Sequence, residues 1–274
     1  MIRSLLFFLM FFMTNEILAE PCWLKLGNDP EDLRYLSEFP YDKYEALFVP
    51  HQGWFYLDQT DDGLKNILRS GRAWEPEMDE LIDRYVRWNS NALDIGAHIG
   101  THTMPMAQAV GPQGIVFAFE PQKKIYRELA MNVRLNQLHN VVVLHCAVGA
   151  SNKTVFLDEP VDQNEGARFI TQGRGVEQVQ MCTIDSLELT NISLIKMDVE
   201  NYELEVLKGA TRTILKEKPV ILIEIQGNHV QAAQVSSDKI SHMNQMTFRV
   251  IQYLEILGYK VFHLSSQDYL AIPL

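Results

Sequence analysis

The sequence predicts an α/β fold: a mostly parallel sheet with helices on both faces and one reversed strand. Three observations carry this. From Asn91 onward, short apolar or β-branched runs alternate with amphipathic helical stretches, and that alternation implies parallel strands joined by crossover helices. Val220–Ile225 reads as an apolar strand of the kind buried on both faces. At the end of the chain, Tyr259–Leu264 and Tyr269–Ile272 lie close enough to pair as antiparallel neighbours.

Length and composition bound the reading. A chain of 274 residues, 47% hydrophobic and 22% charged, suffices for one large α/β domain, or one domain with an appendage. The net charge of -11 and the lack of any Lys/Arg run argue against a nucleic-acid or phosphate-binding surface. A small neutral or basic substrate, a sugar or a peptide fits better. The cysteines are Cys22, Cys146 and Cys182. An odd, sparse count is no disulfide framework, no metal-ligand spacing is present, and buried thiols are expected.

The chain divides into three stretches. Residues 1–20 resemble a secretory signal, with Arg3 before the apolar run Leu5–Met13 and a small residue at Ala19. Such a short run cannot span a bilayer. The expectation is export or a secretory pathway, with a cytoplasmic chain and a mis-assigned start as the alternative. Residues 21–90 form a lead-in that packs on the domain, and 91–274 form the domain itself. The lead-in holds a short helix near Pro30–Leu36, a strand Trp54–Leu57, a turn at Asp61-Asp62-Gly63, a helix Leu64–Leu68 and a helix Glu77–Trp88.

In the domain, Ala92–Asp94 is the first strand and a helix begins near Thr103, since Pro105 is tolerated only in a first turn. Ile115–Glu120 is the second strand. Ile125, Leu129 and Val133 recur at helical spacing, and Val141–Leu144 is the third strand. Thr154–Leu157 and Val179–Cys182 form smaller strands around a glycine-bearing polar loop. Leu194–Asp198 is the fourth strand. One helix follows with Leu204, Leu207, Ile214 and Leu215 on its inner side, then the fifth strand Val220–Ile225. Residues 226–240 read as loop. Met243, Met246, Val250, Leu254 and Leu257 line a helix that stops at Gly258.

Three acids fall at the carboxyl ends of these strands: Asp94, Glu120 and Asp198. In an open α/β sheet those ends face one crevice, where ligands bind. Asp94 heads the turn Asp-Ile-Gly-Ala-His-Ile-Gly-Thr, with Gly96 and Gly100 allowing close backbone approach. A carboxylate there can hold an amine or a hydroxyl but repels a pyrophosphate. The turn also lacks the Gly-x-Gly-x-x-Gly of a dinucleotide site, so a nicotinamide oxidoreductase is the weaker alternative. Glu120, one strand later, suits a bidentate bond to the two hydroxyls of a ribose.

Together with the stretch Lys196-Met-Asp-Val-Glu-Asn-Tyr-Glu203, these residues resemble the FkbM-type, S-adenosylmethionine-dependent methyltransferases. The matches are Asp94–Gly100, Phe119-Glu120-Pro121, Lys196 to Glu203, and the strand Val220–Ile225 with Glu224; the resemblance covers about residues 54–264. It implies a Rossmann-like class I methyltransferase fold with a seven-stranded sheet. It also implies methyl transfer from S-adenosylmethionine, usually to an oxygen, with a small-molecule or glycan acceptor. The cofactor-binding set is then Asp94, Gly96, Ala97, His98, Gly100, Thr101, Glu120, Pro121, Cys146 and Asp198. The catalytic candidates are Asp198 first, then Glu200 and Glu224, with His102 and His229 as weaker bases. His98 stands where the family has Asn, and Asn201 where it has Gly. Glu200 has a second reading, as a cap of the next helix. Trp54 and Trp74 are candidates for the pocket wall, with core or edge packing as the plainer role. A non-catalytic binding protein on the same fold is the rival of a different class.

Overall fold

The computed structural model describes residues 30–159, 164–171, 173–225, 237–265 and 267–274. The signal-like stretch, Cys22 and His229 lie outside the described residues.

The chain enters with helix α1 (Pro30–Ser37) and a hairpin of strands β1 (Glu45–Val49) and β2 (Gly53–Leu57). Strand β1 carries no clear alternation that the sequence could reveal, since Glu45, Ala46 and Phe48 all face solvent. Helix α2 (Gly63–Arg69) starts at Asp62, whose carboxylate accepts the Lys65 N–H at 3.0 Å, a side-chain N-cap. Helix α3 (Pro76–Tyr85) follows, with Pro76 in its first turn. In the hairpin Trp54 takes the plainer of its two readings, edge packing: it is 46% exposed and lies against Phe48.

The domain continues with β3 (Asn91–Ile95), α4 (Thr103–Val110), β4 (Val116–Phe119), α5 (Lys123–Leu135) and β5 (Val141–Leu144). A small sheet of β6 (Ala147–Val148), β7 (Lys153–Leu157), β8 (Ile170–Thr171) and β9 (Glu177–Cys182) comes next, in the order β6-β9-β7-β8. Then come β10 (Ile192–Met197), α6 (Glu203–Gly209), α7 (Thr211–Glu217), β11 (Val220–Glu224), α8 (Ser237–Ile256), β12 (Tyr259–His263) and β13 (Asp268–Pro273).

Two helices replace the single one expected over 204–215. A Cβ on Gly209 would lie 1.9 Å from the Gly149 carbonyl oxygen. This turn therefore presses on the β6–β7 connection, and the helix breaks at Ala210. Leu215, expected on the inner side, is 51% exposed because the second piece turns away. Helix α8 begins at Ser237, inside the stretch read as loop, because the polar run Ser236–Lys239 masks its start.

The main sheet has seven strands in the order β12-β13-β11-β10-β3-β4-β5. All neighbours are parallel except at β13, which runs antiparallel to both β11 and β12. It is the one reversed strand. Side chains of successive residues point to opposite faces. Leu93, Ile95, Phe117, Phe119, Ile195, Met197, Ile221 and Ile223 therefore share the face covered by α6, α7 and α8. Ala92, Val116, Leu194 and Leu222 share the other, covered by α3 and α4. Ala118 extends that face toward α5. Both faces are buried, which is why the strands read as apolar runs rather than alternating ones.

The lead-in is fastened to α5 by core and by charge. Val49, Phe55, Leu57 and Leu68 pack with Ile99, Ile125 and Leu129. The Lys65 ammonium, fully buried, lies 2.7 Å from Asp58, 3.0 Å from Glu128 and 2.8 Å from Glu165. Those three carboxylates come close enough together to hold a metal ion, and the lysine stands among them. Among the described residues no helix is long and apolar enough to cross a membrane.

Candidate active site

Chain order places β4 and β5 on one side of β3, and β10 and β11 on the other. The connection therefore changes direction between β3 and β10, and a crevice opens beyond their carboxyl ends. Gly96 and Asp198 meet there. A Cβ on Gly96 would lie 1.8 Å from the Asp198 carbonyl oxygen, and its φ is +81°, so both space and backbone demand glycine. The Asp198 N–H bonds the Ile95 carbonyl at 2.9 Å and ties the two strand ends together.

A cavity of about 590 Å³ occupies this crevice, within the size range of small-molecule sites. Of the residues expected from the sequence, its walls include Gly96, Ala97, His98, Thr101, Glu120, Pro121, Cys146, Asp198, Glu200 and Glu224. Asp94 and Gly100 are not among them. Asp94 is fully buried below the floor, where the Thr103 hydroxyl donates to its Oδ2 at 2.5 Å. In register, Asp94 stands beside Lys196 of β10.

Parity explains the convergence. Asp94, Glu120, Lys196 and Glu224 are all even-numbered, on the face that carries Ala92, Leu194 and Leu222. Their strands are neighbours, so one edge of one face collects them.

Glu120 is 3% exposed. Its Oε2 accepts the His98 N–H at 3.0 Å, and its Oε1 the Gln122 N–H at 2.8 Å. Burial nonetheless pushes its acid up to about 8, against those two bonds. His98 sits at φ +48°, and burial pulls its imidazole down to about 4, so it is neutral at pH 7. Its Nδ1 is buried without a protein partner. Arg168, nearby, donates from Nη1 to Glu177 at 2.6 Å, while its Nη2 is buried and unpartnered. Two orphaned polar atoms on the wall of a cavity are the mark of a site shaped for a polar ligand.

The other end of the cavity is a cluster of charges. Lys196 is 7% exposed, with its ammonium 3.6 Å from Asp198. Burial pulls its pKa down, but the charges of Asp198, Asp94 and Glu75 raise it above the usual lysine value. Burial, then the charge of Asp198, push Glu224 up to about 9, so it is a neutral acid at pH 7. His102 cannot serve as the base it was considered for. Its two ring nitrogens lie 3.2 Å from Asp79 and 3.2 Å from Glu75. Burial opposes its charge, but these bonds win and raise it to about 9, leaving an imidazolium clamped between carboxylates.

Glu203, rather than a neighbour, supplies the carboxylate that accepts the Asn201 N–H at 3.0 Å at the start of α6. Glu200 lines the cavity, at φ +50°. Asn201 sits at φ +68°, a left-handed position where Asn stands in for Gly at low cost. Trp74 lines the cavity and also packs against the core beneath it, so both of its readings hold. Lys196, Glu75, Gln122 and Arg168 line the cavity without being among the site residues expected from the sequence. Lys196 had a signal, the even spacing from Asp198 on one strand; the others reach the site only through long-range packing.

The sheet order, the single reversed strand and the site at the β3/β10 switch define a class I methyltransferase fold. The chain belongs to the FkbM methyltransferase family: the model of the Methyltransferase FkbM domain matches residues 94–261, more than half of its length. It is 29% identical over 153 residues to the hexuronic acid methyltransferase AglP of Haloferax volcanii, an alignment covering 54% of this chain and 59% of that protein. It is 25% identical over 146 residues to Methyltransferase 1 of Beauveria bassiana, covering 44% and 58% respectively. The chain thus spans less than two thirds of either relative's length. Among solved structures, the FkbM methyltransferase of Methylobacillus flagellatus aligns with TM-score 0.45 at 18% identity, covering 71% of this chain and 50% of that one. An O-methyltransferase of Thermotoga maritima described as SAM-dependent aligns with TM-score 0.45 at 12% identity, covering 84% and 77%.

Proposed function

We propose that this methyltransferase uses S-adenosylmethionine to methylate a hydroxyl oxygen of a small molecule or sugar. The observation that carries the reading is the cavity at the strand switch, with Glu120 at one end and Asp198 beside Lys196 at the other. The residues present fit the donor. The two backbone N–H groups on Glu120 hold its carboxyl where a ribose would meet it. Pro121, Cys146 and Arg168 line the wall on that side, where the nucleoside's base would lie. The turn Gly96-Ala97-His98 lets the main chain approach the amino-acid end. The printed name of the Haloferax relative, a hexuronic acid methyltransferase, favours a sugar acceptor.

The donor supplies a methyl group on a sulfonium, already a good leaving group. The protein's part is to align the acceptor and take its proton. Asp198 is the base: it borders the cavity with a partly exposed carboxylate, steadied by the Lys196 ammonium 3.6 Å away. Glu224, neutral at pH 7, donates a hydrogen bond rather than accepting a proton. Glu200 adds a third carboxyl on the same wall.

Asp198→Asn tests the role. Methyl transfer at saturating S-adenosylmethionine should fall by roughly 100-fold or more, the usual worth of a positioned base. Unchanged transfer would remove Asp198 from the mechanism. A donor that binds while no acceptor in a broad hydroxyl panel is ever methylated would favour the non-catalytic binding protein instead.

A further inference from the structure

Around the Lys196 end of the cavity, every cation among the described lining residues already has a carboxylate of its own. Lys196 lies 3.6 Å from Asp198 and beside Asp94 in register. His102 is held 3.2 Å from both Asp79 and Glu75. Arg168, the remaining cation on the wall, faces the opposite end and is committed to Glu177 at 2.6 Å. Against these stand the carboxylates of Glu75, Asp198 and Glu200 on the cavity wall.

Resting on the methyl-transfer reading above, we propose that this end of the cavity takes an uncharged, hydroxyl-bearing ring and turns away one that carries a carboxylate. A carboxylate entering here meets acids whose counter-charges are already used. A hydroxyl meets acceptors on Asp198 and Glu200. It also meets donors, since Glu224 keeps its proton at neutral pH and Gln267 lines the same wall. Trp74 offers an aromatic surface to the ring's C–H face. The acceptor class is therefore a neutral sugar or polyol, in contrast to the acid named for the Haloferax relative.

Three probes that differ at one carbon separate charge from shape: methyl β-D-glucopyranoside, methyl β-D-glucuronide and methyl β-D-glucuronamide. Transfer of labelled methyl from S-adenosylmethionine by the full chain at pH 7 should give kcat/KM for the glucuronamide at least about tenfold above the glucuronide, the scale expected for a like charge placed against the wall. The glucopyranoside should behave as the glucuronamide. A glucuronide accepted as well as or better than the glucuronamide overturns the proposal, and so does failure of all three probes. Calorimetry with S-adenosylhomocysteine separates the two levels. No binding defeats the donor reading itself, whereas binding together with preference for the uronate defeats only the acceptor class.

Discussion

Gly96 is the residue on which the crevice depends. Its φ of +81° and the 1.8 Å approach of any Cβ to the Asp198 carbonyl leave no room for a side chain. Gly96→Ala should destabilise by about 3 kcal/mol or more, because strain and a backbone clash add; denaturant unfolding measures it, and a loss under about 1 kcal/mol would contradict the packing of β3 against β10. His102 makes a pH prediction. Its folded pKa, about 9, lies above its ordinary 6.5. The folded state thus holds a proton that the unfolded state has released, so the clamp is fully stabilising below about pH 6.5 and is lost as pH rises through 9. Glu120 and Glu224, raised to about 8 and 9, act in the same direction. The melting temperature should fall between pH 6.5 and 9, and His102→Gln should flatten that fall. A His102→Gln profile parallel to the wild type would remove the clamp from the explanation.

At the scale of elements, the lead-in is joined to the sheet domain at two kinds of contact. One is apolar, through Phe55, Leu57 and Leu68 against Ile99, Ile125 and Leu129. The other is the Lys65 cluster, which connects α2 to Asp58 after β2, to Glu128 of α5 and to Glu165 near the cavity. Lys124 joins the same acids, contacting Asp58 at 2.6 Å and also Glu165. The Glu165 N–H in turn bonds Asp62 at 2.9 Å, and the neighbouring Gly166 packs on His98. Lys65→Met keeps the stem but leaves buried carboxylates short of a counter-charge. A loss of about 3–5 kcal/mol is expected, read by denaturant unfolding, with Glu128→Gln in the same chain recovering part of it. Equal stability of Lys65→Met and wild type would show the cluster to be incidental.

For the whole molecule, the main sheet was legible because its central strands β3, β4, β10 and β11 are buried on both faces and α5 repeats at helical spacing, as with Ile125, Leu129 and Val133. Strand β1 was not, since only Val49 of its five residues is fully buried. The break at Ala210 was not either, because it follows from Gly209 meeting Gly149, residues far apart in the chain. On the cavity wall, Asp198 and Glu120 could be read from strand ends, and Glu224 came with the family resemblance. Glu75 and Arg168 could not, because only packing of the lead-in and of the small sheet brings them to the cavity. Nor could the sequence reveal that Asp94 turns to Thr103 below the floor rather than to the wall. Because Phe55 and Leu68 belong to the core, deletion of residues 30–90 should leave an insoluble or unfolded remainder; a soluble, cooperatively melting fragment would contradict this. The most direct test of the central claim is calorimetric titration of S-adenosylhomocysteine into the full chain and into Glu120→Ala, with the fold of both checked by melting. One site per chain in the wild type, weakened at least about tenfold in Glu120→Ala, is the predicted result; no binding by the wild type, or equal affinity in the two proteins, would contradict it.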